Sequence, residues 1–499
     1  MNNFNGNIVI LGCGSVAQCA IPLLLQLTHI SPKKITVIDF EDKRDRIKNS
    51  LNQGVRYITQ KITQENLSST LGKYLNEGDI LIDLAWNIGT VDIINWCYDK
   101  NVGYLNTSVE EWDPYHNAHQ KHPTELTLYH RQMKLREMVA KWKNPKKITA
   151  IVDHGANPGL VSHFTKQALI DIGTSILENG SSGNRKSKLE TALSHEDFPQ
   201  LAYLTGVKTI HISERDTQIT NNPKQVNEFV NTWSVEGFIE EGMAPSELGW
   251  GTHEKYIPKG AMFHSSGPRN QICLAQKGIK TWVRSWVPSG VITGMVIRHG
   301  EAFSLSDYLT VWDGNVPIYR PTVHYAYCPC DCAVNSIHEL EMRHFVPQPN
   351  ERILNDEILS GKDELGCLLM GHDFQSWWNG SVLGIEEARQ LVPNQNATTV
   401  QVAIGVVGAL ITMLNDPHQG LCLPDQLDYK QILKIAKPFL GEFISAPVNW
   451  SPLTNNKDFR NYGSPGLVQE DEWQFTSFLV SDNEIESMEV ELLAKNDSR

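Results

Sequence analysis

Between His211 and Gly251 the chain carries the acids Glu214, Asp216, Glu228, Glu236, Glu240, Glu241 and Glu247, together with Trp233 and Trp250. Acids beside tryptophan can hold an organic cation. The carboxylates supply charge, and the indole face supplies a cation–π surface. The same composition also suits an acidic surface loop anchored by two tryptophans, and composition alone leaves both readings open. His299 and Glu301 follow the apolar run VITGMVI. At alternate positions just past a strand they would point the same way and could move protons near neutral pH. A surface turn with a hydrogen-bonded histidine is the other reading. Asp363 lies in GKDELGCLLMG, a turn leading into an apolar run.

A second constellation stands at the start of the chain. Asn7 to Leu11 (NIVIL) reads as a buried strand, followed by Gly12-Cys13-Gly14-Ser15-Val16-Ala17, a G-x-G-x-x-A turn. Apolar residues then recur at helical spacing, and a second strand, ITVI, ends in Asp39, 22 positions past Ala17. Gly12 allows the tight turn, Gly14 lets backbone approach a pyrophosphate, and Ala17 lets the helix pack close to the strand. The helix N-terminus, with Ser15 and Val16, faces the phosphates. Asp39 accepts a hydrogen bond from a free ribose 2′-hydroxyl and repels a 2′-phosphate. The cofactor expected is therefore NAD rather than NADP, although Lys43 and Arg44 follow closely.

Strands and helices continue to alternate up to Ile148–Val152, which implies a doubly wound parallel sheet. Ligands in such sheets sit beyond the carboxyl ends of the strands. The loops there are AWNIG, TSVEEWDPY and DHGANPG, so Asn87, Glu110 and Asn157 are candidates to border the nicotinamide. Asn87 could equally be a turn residue, and Asn157 could cap the following helix. Past about residue 171 the pattern changes. Leu177 to Lys188 reads as an exposed polar loop, and the central region as a second domain built on a mixed or antiparallel sheet. Ala397 to Leu414 reads as a buried helix rich in small residues. The fold class expected is α/β, a Rossmann-type parallel sheet with a second α+β domain.

Net charge is −13, which argues against nucleic acid or an anionic membrane as partner and favours small cations. No run reaches the ~18 apolar residues of a membrane helix. The N-terminus has no basic leader, so a soluble, cytoplasmic protein is expected. Nine cysteines are spread through the chain, and Cys328, Cys330 and Cys332 form its C-x-C-x-C. Zinc sites usually pair two C-x2-C units, so incidental thiols and no metal are expected. The acidic tail past about Glu470 is expected to be partly disordered.

Read together, GANPGLVSHFTKQAL, HISERDTQ, FVNTWSVEGFIEEGMAPSELGWGTHE, YRPTVHYAY and PNQNATTVQV resemble the bacterial homospermidine synthase family, over essentially the whole chain. More distantly the chain is similar to saccharopine reductase-like dehydrogenases. The resemblance implies a homodimer that keeps NAD bound and joins two putrescines into homospermidine with loss of ammonia. Spermidine can serve as aminobutyl donor, releasing diaminopropane. It implies a cofactor domain over 1–156 and about 390–430, and a substrate and dimer domain over about 157–389 and 431–499. Trp233 matches a tryptophan that meets the cationic intermediate, and Glu214 an acid that positions substrate nitrogen. His299 and Glu301 match residues lining the same pocket. Glu110, Asn157 and Asp363 match other polar groups near substrate or nicotinamide. Asn87 stands where the family often has aspartate, one charge fewer on the way in. Glu240 and Glu241 are read as surface charge. Two other readings remain: a saccharopine- or carboxyspermidine-type dehydrogenase, for which Arg215 and Arg298 would meet substrate carboxylates, and a dinucleotide-sensing protein without turnover.

Overall fold

The computed structural model describes residues 4–114, 116–180, 183–453 and 472–480. Its first layer is a seven-stranded sheet with parallel pairings throughout. In chain order the strands are β1 (Ile8–Leu11), β2 (Ile35–Asp39), β3 (Arg56–Thr59), β4 (Ile80–Asp83), β5 (Gly103–Asn106) and β6 (Thr149–Ile151). The seventh, Gly420–Cys422, adds beside β6 from far along the chain. Every residue of β1, β2 and β4 is buried, as strands covered on both faces must be. The spatial order runs β3-β2-β1 and then β4-β5-β6, so the connections reverse between β1 and β4. That reversal opens a crevice at the carboxyl edge, above the glycine turn.

The helix Ala397–Asn415 packs against α1 (Ser15–Leu27). Its small residues set the approach: a Cβ added at Gly405 would lie 2.1 Å from the carbonyl oxygen of Gly155. This helix corrects one expectation. By length and composition it is apolar enough to cross a membrane, but 94% of that apolar stretch is buried inside the protein. Protein packing, not lipid, covers it.

The second layer is a ten-stranded mixed sheet. At its middle lies β7 (Thr209–Asp216), between a parallel neighbour, Thr322–Cys328, and an antiparallel one, Lys362–His372. The stretch from His211 to Gly251 is therefore no acidic surface loop. It comprises most of β7, the strand Glu228–Asn231, the helix Val235–Met243 and the strand Pro245–Gly249. Leu177 to Lys188 is also more regular than expected. The helix Leu160–Glu178 runs into it, and the next helix starts at Lys186. The acidic tail past Val480 lies outside the described residues.

Candidate active site

The glycine turn has the shape a dinucleotide needs. Gly12 has φ +85°, and a Cβ there would sit 2.7 Å from the carbonyl oxygen of Leu84. Only glycine fits so close to the end of β4. Gly14 is the opposite case, because a Cβ there would meet nothing within 4 Å. That open space lies at the N-terminus of α1, where Gly14 offers no side-chain cap. The first-turn N–H groups have no acceptor within the helix, which is the donor set an anionic pyrophosphate takes. Ala17 is fully buried against the sheet, and Ser15 nearly so. Asp39 ends β2 and braces the turn from below. Its carboxylate accepts from the backbone N–H of Cys13 at 2.6 Å and of Glu41 at 2.8 Å. Lys43 Nζ stands 3.6 Å away.

The acids gather on one face of the mixed sheet. Side chains alternate along a strand, so Glu214 and Asp216 of β7 share a face. Register places Tyr327 beside Glu214 on one side, and Asp363 beside Asp216 on the other. The Glu214 carboxylate accepts from Asn157 Nδ2 at 2.8 Å and from the Tyr325 hydroxyl. Asp216 accepts from Thr232 at 2.6 Å, and Asp363 from Thr398 at 2.5 Å. Burial dominates the electrostatics. It pushes Glu214 up to about 7 and Asp216 up to about 6. Asp363 is held well above the usual carboxylate range by burial and by the charges of Glu214 and Asp216. Glu301 is 1% exposed, and neither of its carboxyl oxygens meets a hydrogen-bond partner among the described residues. Burial holds it, too, in the neutral form. Among the described residues no basic side chain forms an ion pair with Glu214, Asp216, Asp363 or Glu301.

Trp233 sits in the turn between Glu228–Asn231 and the helix Val235–Met243. Its indole N–H donates to the Tyr327 hydroxyl at 2.9 Å, and Phe238 supports its ring at 5.5 Å between centroids. Tyr325 and Tyr327 stack with centroids 5.2 Å apart, so the Glu214 and Trp233 contacts share one aromatic pair. His299 meets the Tyr325 ring edge-on at 4.3 Å. Burial pushes it down to about 3, so it is a neutral imidazole.

Several expectations are corrected here. His299 and Glu301 do not alternate along a strand. The strand ends at Met295, His299 precedes the helix Gly300–Tyr308, and Glu301 lies in that helix's first turn. Two positions apart on a helix they diverge, and His299 approaches Glu241 at 3.9 Å instead. Asp363 is not in a turn; it is the second residue of a long strand and fully buried. Asn157 does not cap the helix, whose N-cap is Gly159. Glu240 is 5% exposed and bound between Arg131, at 2.7 Å, and Arg298. It is no surface charge. Glu110 belongs to the same group, 3.8 Å from Arg131, and takes the Ser108 hydroxyl at 2.6 Å. Asn87 has φ +56°, as its turn reading requires, and no hydrogen bond joins it to Glu214, Asn157 or Asp363. Among the described residues no three acid, histidine or cysteine side chains are grouped to hold a metal. An open pocket of about 530 Å³ lies apart, lined by Tyr129, His264 and neighbours.

The residues to which the sequence assigned no role are Tyr325, Tyr327, Arg131 and Asp216, the last noted only as one of the clustered acids. Tyr-Ala-Tyr was visible as an alternating pair within YRPTVHYAY, and Asp216 shares its period with Glu214 in HISERD. Arg131 carried no local signal.

The chain is 38% identical over 494 residues to the homospermidine synthase of Blastochloris viridis, covering 96% of this chain and 98% of that one. The chain belongs to the homospermidine synthase family. A family member from Mesorhizobium japonicum is 37% identical over 488 residues, covering 95% and 96% of the two chains. The crystal structure of the homospermidine synthase from Legionella pneumophila in complex with NAD superposes with a TM-score of 0.84 at 38% identity, over 96% of this chain and 99% of that one. The saccharopine dehydrogenase NADP binding domain matches residues 8–151, and the saccharopine dehydrogenase C-terminal domain matches residues 155–447. The division falls between β6 and the loop that carries Asn157, so the acids of the mixed sheet and the glycine turn come from different halves of this chain. The buried arginines also bear on the dehydrogenase alternative. Arg298 is bound to Glu240 and to the carbonyl oxygen of Leu126, and therefore does not await a substrate carboxylate.

Proposed function

We propose that this chain joins two putrescines into homospermidine with release of ammonia, or takes the aminobutyl group from spermidine with release of diaminopropane. The observation that carries this reading is the buried acid face beside Trp233, which has carboxyls without countercharge where a dication must go. Gly12, Gly14, the first turn of α1 and Asp39 hold NAD. Asp39 favours NAD because its charge opposes a 2′-phosphate, and Lys43 is shared with Glu41, 3.1 Å away. NAD bound there would supply a reversible hydride acceptor for the amine-bearing carbon, with no net redox over the cycle.

The chain's own residues do the rest. Glu214 holds an amine nitrogen and takes its proton, and a carboxyl raised to about 7 is suited to exchange protons near neutral pH. Asn157 donates to that carboxylate and fixes its direction. Trp233 presents its ring to the substrate carbon while it is an iminium. Asp363 and Glu301, held neutral by burial, accept hydrogen bonds from the distal ammonium alongside Glu110, and His299 closes the wall as a neutral group. Asn87 lines the approach without adding charge. The same reading carries a homodimer in the cytoplasm. It also carries a cofactor domain over 1–156 and about 390–430 and a substrate and dimer domain over about 157–389 and 431–499. The packing of Ala397–Asn415 on α1 and the place of Gly420–Cys422 in the parallel sheet support that division.

The test is incubation of the purified protein with putrescine, with and without NAD. Homospermidine and ammonia in equal amounts without net NADH are expected. NADH rising in step with product would instead identify a dehydrogenase, and no change at all a binding protein. A second result isolates the cofactor turn. Gly14→Ala should melt at the parent temperature without NAD, since its methyl meets nothing. The stabilisation that NAD gives the parent should be largely lost, as read by thermal shift.

A further inference from the structure

Glu214 and Trp233 lie on different elements, β7 and the turn before Val235–Met243. One pair of side chains touches both. Tyr325 and Tyr327 stand two apart on the strand Thr322–Cys328, stacked with planes 13° apart, and both are buried. The hydroxyl of Tyr325 donates to Glu214, and that of Tyr327 accepts from the Trp233 indole. We infer that the two tyrosines are positioning residues with separate tasks: Tyr325 sets the pH at which Glu214 ionises, and Tyr327 fixes the plane of the Trp233 ring. This rests on the function proposed above.

The surroundings of Glu214 show why a single donor matters. Asp216 on its own strand opposes its ionisation by its charge, whereas Asp363 on the antiparallel neighbour, itself held neutral, favours it by hydrogen bonding. Glu301, from the helix Gly300–Tyr308, couples to Glu214 in the same sense as Asp216. His299 is neutral and Cys328 is held as a thiol, so neither offers a countercharge. What favours the carboxylate is hydrogen bonding, from Tyr325 first, Asn157 second and Asp363 third. A donor to an ionised group stabilises that form, so losing it raises the carboxyl's proton affinity. The tyrosine cannot compete for the proton, because burial and the Glu214 charge hold its own ionisation far above neutrality. Tyr327 has no such contact with the acid. Its hydroxyl is spent on Trp233, and its ring is held edge-on by Phe238 at 5.7 Å. Removing that hydroxyl frees the indole to turn without changing the charge near Glu214.

The two variants therefore carry different signatures. Tyr325→Phe keeps the stack and should move the acid limb of the kcat/KM–pH profile for putrescine upward by roughly one to two pH units. Tyr327→Phe should leave that limb in place and lower kcat several-fold with little change in KM. Incorporation of 3-fluorotyrosine at 325 keeps ring and hydroxyl and makes the donor stronger, so it should move the limb the other way. It stands in if the phenylalanine variant fails to fold. An acid limb unmoved by both changes at 325, or moved equally by Tyr327→Phe, would overturn the inference. If the parent protein forms no homospermidine, the proposed function falls, and the tyrosines are then judged by infrared spectroscopy. The carboxyl band lost in Glu214→Gln should titrate at higher pH when Tyr325 is phenylalanine. An unchanged titration would refute the role of Tyr325 without reference to turnover.

Discussion

Glu214→Gln lowers kcat/KM for putrescine by a hundredfold or more, and by at least as much as Trp233→Phe. The two side chains meet the same cationic substrate with different strengths. A cation over an indole gains about 0.5–2 kcal/mol, depending on how dry the site is, and phenylalanine keeps part of that attraction. A positioned acid–base group contributes on the order of a hundredfold to ten-thousandfold. Glutamine has almost the shape of glutamate and can still accept from Asn157 and Tyr325, so the fold is preserved. It cannot take a proton, and it brings no charge to a wall whose other acids are held neutral by burial. Steady-state kinetics with putrescine, alongside melting curves that match the parent, measure the difference. Near-normal turnover in Glu214→Gln would remove it from the chemistry and leave it as a buried structural acid.

How far this site could be read from sequence depends on the range of the interactions. The cofactor turn is local. Gly12, Gly14, Ala17 and Asp39 fall within one strand–helix–strand unit, and the short buried strands declare themselves by composition. Glu214 was also within reach, because HISERD alternates and puts Glu214 and Asp216 on one face. The same period was present in Tyr325 and Tyr327. Nothing local, however, says which strand lies beside which, and the Tyr325–Glu214 contact joins residues 111 apart. His299 and Glu301 were misplaced for a related reason. An apolar run that ends a strand looks the same as one that leads into a helix, and Gly300 at the first helical position gives no strong start signal. Glu240 is the clearest case. A carboxylate on an amphipathic helix is usually solvated, and its partners Arg131 and Arg298 come from 109 and 58 residues away. A buried ion pair has no sequence signature of its own.

That buried pair carries the largest expected effect on stability. Glu240→Ala should destabilise the fold by about 3–5 kcal/mol, because it leaves two guanidinium groups buried without their carboxylate. Burial opposes ionisation of Glu240, but Arg298 and then Arg131 overcome it and hold the acid down to about 2. A carboxyl depressed in the folded state gives stability that is present above its unfolded pKa, near 4, and lost as pH falls toward 2. The deficit of Glu240→Ala in urea unfolding should therefore be constant from pH 6 to 8 and shrink below about pH 4. Removing the charges on both sides separates stability from function. Replacing Glu240, Arg131 and Arg298 together by apolar residues of similar volume should recover most of the lost stability, since a buried ion pair gains little over good packing. It should not recover activity if the arginines also restrain Glu110, which lies 3.8 Å from Arg131 and shares its charge. A triple variant that regains both would reduce the cluster to a packing element, and Glu110 would then owe nothing to it.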